Sequence, residues 1–130
     1  GHPLCKKHTI VPADLKRQRM ISLEPGTIFA MRVEVALAGV PRLSTLETRL
    51  SHTALTLVGE GAGIAIIDPT SASEFLQRGV VVRPFSIFID ASFLAIRPAG
   101  QTRSDIIERF FAEFWDFHDR IIKAAGITPS

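Results

Sequence analysis

Two hydrophobic rhythms run along the chain, three- to four-residue spacing and unbroken apolar runs, with glycine and proline between them. The stretch Ser51 to Pro69 shows both in succession. Apolar Ala54, Leu55, Leu57, Val58 and Ala62 follow the polar start Ser51-His52-Thr53, which predicts a short helix with one buried face. Gly59, Gly61 and Gly63 break that helix. Ile64 to Ile67 is then apolar at every residue, as in a strand covered on both faces, and Asp68-Pro69 stops it. Helix, glycine turn and buried strand make half of a parallel α/β unit.

The same rules divide the rest of the chain. Gly1 to Leu15 carries two prolines and no core pattern of its own, so it reads as an extended arm leading to a short helix near Ala13 to Gln18. Met20 to Leu23 is a short strand ended by Glu24-Pro25-Gly26. Helix and strand periods compete over Thr27 to Leu37, and the Gly39 stop with Pro41 beyond favours helix. Arg42 to Glu47 is the next strand. Ser71 and Glu74 match a capping box, which starts a helix ending at Gly79. Val80 to Val82 reads as a buried strand and Ile87 to Ile96 as a second long β run. Thr102 to Asp105 caps a terminal helix that runs to about Ala124 and stops at Gly126, with Pro129 following. That helix carries Ile106, Ile107, Phe110, Phe111, Phe114, Trp115, Phe117, Ile121 and Ile122, too wide a stripe for one buried face. It is expected to pack on its own sheet and on a further lobe or a second chain.

Composition narrows the class. The 130 residues, 46% hydrophobic and 22% charged, suit one folded α/β domain or less. A net charge of +2, with no long basic run, is a poor footprint for nucleic acid. The single Cys5 rules out an internal disulfide and suits a reducing compartment. No apolar run reaches membrane-spanning length and no signal-peptide layout opens the chain, so a cytoplasmic protein without membrane contact is expected.

Several chemistries fail on order or spacing. A dinucleotide fingerprint needs glycines after a strand and opening a helix, whereas these follow a helix and open a strand. His2, His8, His52 and His118 have no common metal spacing, and no cofactor is expected. Cys5 has Lys6 and Lys7 beside it but no adjacent base. Trp115 and the phenylalanines share their helix with Glu108, Glu113, Asp116 and Asp119, which is wrong for base stacking. Ligands of a doubly wound sheet lie beyond the carboxyl ends of the strands, near helix N-termini. Here those positions are Ser22, Leu23 and Glu24, then Glu47, Thr48 and Ser51, then Asp68 and Pro69. Helix N–H groups there would attract a carboxylate, and Glu24 and Glu47 would answer an ammonium or guanidinium.

Taken in order, GHPL with its Pro-Ala-Asp-Leu turn, LVGEGAGIAIIDPTSA, VVVRPF, a β run and a Phe-rich terminal helix resemble the effector-binding region of LysR-type transcriptional regulators. Glu47-Thr48-Arg49 and the IIDPTSA ending look like the branch sensing opines and basic amino acids. The resemblance implies a Rossmann-like lobe of a type 2 periplasmic-binding-protein-like fold, with a mostly parallel sheet, a returning strand and a C-terminal helix. Residues 1–10 would be the crossing arm from the first lobe, 11–90 the second lobe, and 91–130 the return strand and helix of the first lobe. It further implies a non-enzymatic sensor, a homodimer or higher oligomer, that binds a small amino acid, opine or organic acid. DNA would be contacted only through a domain outside these residues. By the same resemblance, Ser22 and the Glu47-Thr48 corner best match the family's pocket. A solute-binding receptor of the same fold and a small α/β enzyme are the alternatives.

Overall fold

Strand β1 (Arg19–Leu23) runs through the centre of the molecule, with parallel partners at both edges. The computed structural model describes residues 1–96, 99–100, 104–124 and 126, and gives only the backbone of Ser44, Thr45 and Ala124. At one edge lies β2 (Leu43–Thr48), where Leu43 N–H donates to Gln18 O at 3.1 Å. At the other, Ile21 N–H donates to Ile64 O at 2.8 Å and Ile64 N–H to Arg19 O at 2.9 Å. Successive side chains of a strand point to opposite faces, so the neighbours Met20 and Ile21, 4% and 1% exposed, are buried on different sides of β1, Met20 in a cluster with Leu15 and Leu37. Each of these pairings is parallel, as expected.

Helices cover both faces. The first, α1 (Ile28–Ala36), starts at Thr27, whose Oγ1 accepts from Ala30 N–H at 3.1 Å. It sends Val33, with Leu37 just beyond its end, into a cluster with Leu15, Met20, Ile64 and Ile66. The second, α2 (Ser51–Gly59), joins Leu55 and Val58 to Phe75, Val80 and Ile67. Removing a side chain the size of Leu37, which is wholly enclosed, from water stabilises the fold by about 2–3 kcal/mol. Two helices complete the order: the short α3 (Pro69–Ser73), followed by a 3-10 turn at Leu76–Arg78, and the long α4 (Asp105–Ala124), which touches α3.

The glycines between α2 and Ile64 do two separate jobs. Gly61 has φ +77°, so the chain turns off the helix end in a conformation that costs other residues strain. Gly63 passes so close to β1 that a Cβ placed there would sit 2.5 Å from Arg19 O. The turn thus lets the third chain segment come within hydrogen-bonding reach of the central strand.

The arm is held rather than free. Ile10 N–H donates to Pro84 O and Ser86 N–H to Ile10 O, a parallel bridge between Ile10 and Phe85. Arg83 spans the same junction, donating to Lys7 O at 2.7 Å, Cys5 O at 2.8 Å and Val82 O at 2.8 Å. Leu4 and Ile10 pack on the first core cluster, so the arm does contribute to the core, contrary to the reading from pattern alone.

Several expected elements differ. The helix expected near Ala13 to Gln18 is a 3-10 turn, Pro12–Leu15, cut off by Arg17 at φ 61°. Ile64 to Ile67 is not a full strand: only Ile64 pairs, and all four residues are half-buried. Its alternation persists, since Ile66 faces one core and Ile67 the other. Ser71 does not cap a helix with Glu74. Asp68 is the N-cap, accepting from Ser71 N–H at 2.8 Å, because Pro69 behind it suits the first helical position and needs no partner for a missing N–H. Ser51 likewise is the first residue of α2, with Leu50 at the cap. Val80 is buried but Val81 is exposed, and neither Val80–Val82 nor Ile87–Ile96 forms a strand. A run of β-forming residues needs a partner for its backbone groups, and among the described residues none lies alongside. The expected caps at Thr102 and Arg103 and the stop at Pro129 fall outside the described residues. Over α4 the expectation of excess apolar surface is met: Ile106, Phe110, Phe117 and Trp115 are exposed.

Candidate functional site

The register of β1 and β2 places the tip residues side by side. Ser22 lies opposite Glu47 and Leu23 opposite Thr48, and Glu24 N–H donates to Thr48 O at 2.9 Å. A register shift between Met20 and Ile21, where β2 contributes one more residue than β1, brings Glu47 into line with Ser22. From Thr48 the chain turns directly into α2. Leu50 N–H donates to Thr48 Oγ1 at 3.4 Å, but Leu50 offers no side-chain cap, so among the described residues no capping side chain meets the N–H groups that follow it in α2.

The second group lies at the start of α3. Ser51 Oγ donates to Asp68 Oδ2 at 3.4 Å, tying the beginnings of α2 and α3 together. Asp68 is therefore committed on both oxygens, to Ser71 N–H and to Ser51, and acts as a structural clasp. Pro69 occupies the first turn of α3. Thr70 Oγ1 beside it is buried with no hydrogen-bond partner among the described residues. All eight residues expected at a site thus gather at one edge of the sheet, in two groups joined by the turn from Thr48 to Ser51.

The electrostatics separate them further. Among the described residues, the Glu47 carboxylate and the Ser22 hydroxyl make no hydrogen bond or ion pair and face no internal competitor. Glu24 instead accepts from Arg49 Nε at 2.8 Å. Arg49 is the residue that strand-tip reasoning passed over. Its signal was the alternation of charge in Glu47-Thr48-Arg49, with the third member returning to β1. His52, one residue into α2, sets its ring edge-on against Phe75 at 5.0 Å, and Arg78 covers the same ring. That is a packing role.

A space of about 10 Å³ between β1 and α1, touching Ser22 and Leu23, holds one water at most. The larger hollow, about 300 Å³, is lined by Ile106, Arg109, Phe110 and Glu113 of α4 and by none of the tip residues. No group of metal-binding side chains occurs among the described residues, and no described helix is long and apolar enough to cross a membrane.

Comparison with known proteins gives these features a context. The family model described as LysR substrate binding domain matches residues 1–118. The chain is 50% identical over 127 residues to the octopine catabolism/uptake operon regulatory protein OccR of Rhizobium meliloti, covering 98% of this chain and 42% of that protein. It is 29% identical over 112 residues to the transcriptional activator protein LysR of Escherichia coli K12, covering 85% of this chain and 36% of the relative. The regulatory protein NocR of Agrobacterium tumefaciens is 28% identical over 118 residues, covering 89% of this chain and 39% of the relative. The chain thus spans about two fifths of the length of these curated relatives. A match across nine tenths of the residues, on a parallel α/β framework with its strand tips open, places the chain in the LysR substrate-binding domain family.

Proposed function

We propose that these residues sense a small zwitterionic effector for a LysR-type transcriptional regulator working in the cytoplasm. The observation that carries the reading is the row of polar groups where β1 and β2 end against the uncapped start of α2. The backbone N–H groups of α2 suit a carboxylate. Glu47 and Glu24 suit an ammonium or guanidinium. Nothing in this arrangement performs chemistry, and the effector acts by its difference in affinity for two conformations.

In this reading residues 1–10 are the crossing arm and 11–90 the second lobe of a two-lobed, periplasmic-binding-protein-like sensor. Residues 91–130 return to the first lobe. The paired arm at Ile10 and Phe85, and the uncovered apolar side of α4, both support it. The first lobe would close over the strand tips and supply the absent wall. DNA contact and assembly into a dimer or higher oligomer belong to the intact regulator. A relative of 50% identity named for octopine makes an arginine-derived opine the first effector to try.

The test is isothermal calorimetry on the intact regulator with octopine, arginine, ornithine and an aromatic acid. Saturable binding of an opine or basic amino acid is expected. Absence of heat and of any thermal shift with all four would remove the reading. A solute receptor of the same fold is disfavoured by the regulatory names of its relatives.

A further inference from the structure

The ion pair of Glu24 and Arg49 is built more lightly than the contacts of Arg42, Arg32 and Arg83. It resembles the exposed pair of Arg120 Nε with Asp116 on α4, which joins neighbours one helical turn apart rather than two strand ends. Arg42 donates through both Nη atoms to both oxygens of Glu34, with only 20% of its side chain exposed. Arg32 holds both the carbonyl and the carboxylate of Asp90, and Arg83 holds three carbonyls. Arg49 makes one bond, through Nε, with its side chain 84% exposed. A single-contact pair in water contributes little beyond the entropy lost in holding a long side chain still. Arg49 packs against almost nothing, so it can swing away without opening the core. Glu24, in contrast, is carried on a backbone fixed by its bond to Thr48 O, in line with Ser22 and Glu47.

We propose that Arg49 is a placeholder whose guanidinium occupies, in the unliganded protein, the position at Glu24 that the effector's own cationic group takes. Glu24 is then the specificity-determining carboxylate, and the site selects compounds with a guanidinium or ammonium some distance from a carboxylate. The inference rests on the effector-binding reading above and names the feature of the effector that the site measures. A ligand without a cation has nothing with which to displace Arg49, whereas a guanidinium ligand replaces like with like. Arg49 therefore competes only with cationic ligands, weakening their binding while leaving neutral ones untouched.

The test is calorimetry on the intact regulator with two ligands, octopine and the same dicarboxylate scaffold carrying a neutral alkyl side chain. Arg49→Ala and Arg49→Gln are expected to bind octopine roughly two- to fivefold tighter, the size of a freed surface pair, with the neutral ligand unchanged. Glu24→Gln is expected to weaken octopine binding roughly tenfold and to abolish the gain from Arg49→Ala when the two are combined. Unchanged or weaker octopine binding in both Arg49 variants overturns the placeholder, and so does equal tightening of both ligands. If the wild-type regulator binds neither ligand nor any of the other candidate effectors, the effector reading itself falls. If it binds octopine and the Arg49 variants do not differ from it, only the placeholder falls.

Discussion

Replacing Gly63 by alanine tests how the third chain segment reaches β1. The new Cβ would lie 2.5 Å from Arg19 O, 3.2 Å from the Arg19 carbonyl carbon and 3.4 Å from its Cβ. The first two are backbone atoms, so no side chain can rotate aside. The strand must instead move apart by about 0.5–1 Å, which is enough to break or stretch the bonds Ile64 N–H to Arg19 O and Ile21 N–H to Ile64 O. Two such bonds are worth about 1 kcal/mol each, and repacking Ile64 against Met20 adds about 1 kcal/mol more. The expected loss is about 2–4 kcal/mol, or a fall in Tm of about 8–15 °C for a domain of this size. Gly59→Ala is the control, because its Cβ would meet only Val80 Cγ2 at 3.7 Å, near the end of α2. That change is expected to be neutral or to stabilise by up to about 1 kcal/mol. Urea and thermal unfolding of the two variants decide the matter. If Gly63→Ala unfolds within about 0.5 kcal/mol of the parent, the close approach does not hold the segment in place.

Two further outcomes follow from contacts described above. Arg83→Ala leaves the carbonyls of Cys5, Lys7 and Val82 without their shared donor, and is expected to cost about 1–2 kcal/mol. Hydrogen exchange should quicken at the amides of Ile10 and Ser86; unaltered exchange there would refute Arg83 as the tie between arm and junction. Acid is expected to destabilise the fold. Glu34 is held below its ordinary 4.5 by the Arg42 guanidinium, Asp14 below 3.8 by Lys7, and Asp90 below 3.8 chiefly by the Ser92 hydroxyl. A carboxyl more acidic in the folded chain than in the unfolded one stabilises fully above its unfolded pKa and loses that contribution as pH falls through the folded value. Stability should be level above about pH 5.5 and decline from about pH 5 downward, first as Glu34 protonates and then as Asp14 and Asp90 do. A Tm unchanged down to about pH 3.5 would contradict this.

The sequence disclosed most where local chemistry and burial agree. Met20 to Leu23, α1, β2 and α2 lie within a residue or two of their expected bounds, because apolar spacing and glycine stops coincide with the two cores. It misled where an apolar run needed a partner that these residues do not supply. Ile87 to Ile96 has strand-forming side chains, yet Leu94 and Ile96 are 85% and 90% exposed and unpaired. Caps were hard for a related reason: Asp68 and Ser71 are both good caps, and Pro69 decided between them. At the strand tips the residue types and their common edge were legible from the α/β order. The Glu24–Arg49 pair was not, since it depends on two strand ends meeting across 25 residues of chain.

The bridge between Ile10 and Phe85 also bears on when the molecule acquires its form. Arg83 and Lys7, which flank it, are 76 residues apart, and closing so long a loop is slow compared with forming a helix or a neighbouring strand pair. The arm is made before Phe85 yet finds that partner only after β1, α1, β2 and α2 have been made. Its two half-buried side chains, Leu4 and Ile10, must wait in water meanwhile. The arm therefore locks later than the strand pair and helices that lie between it and Phe85.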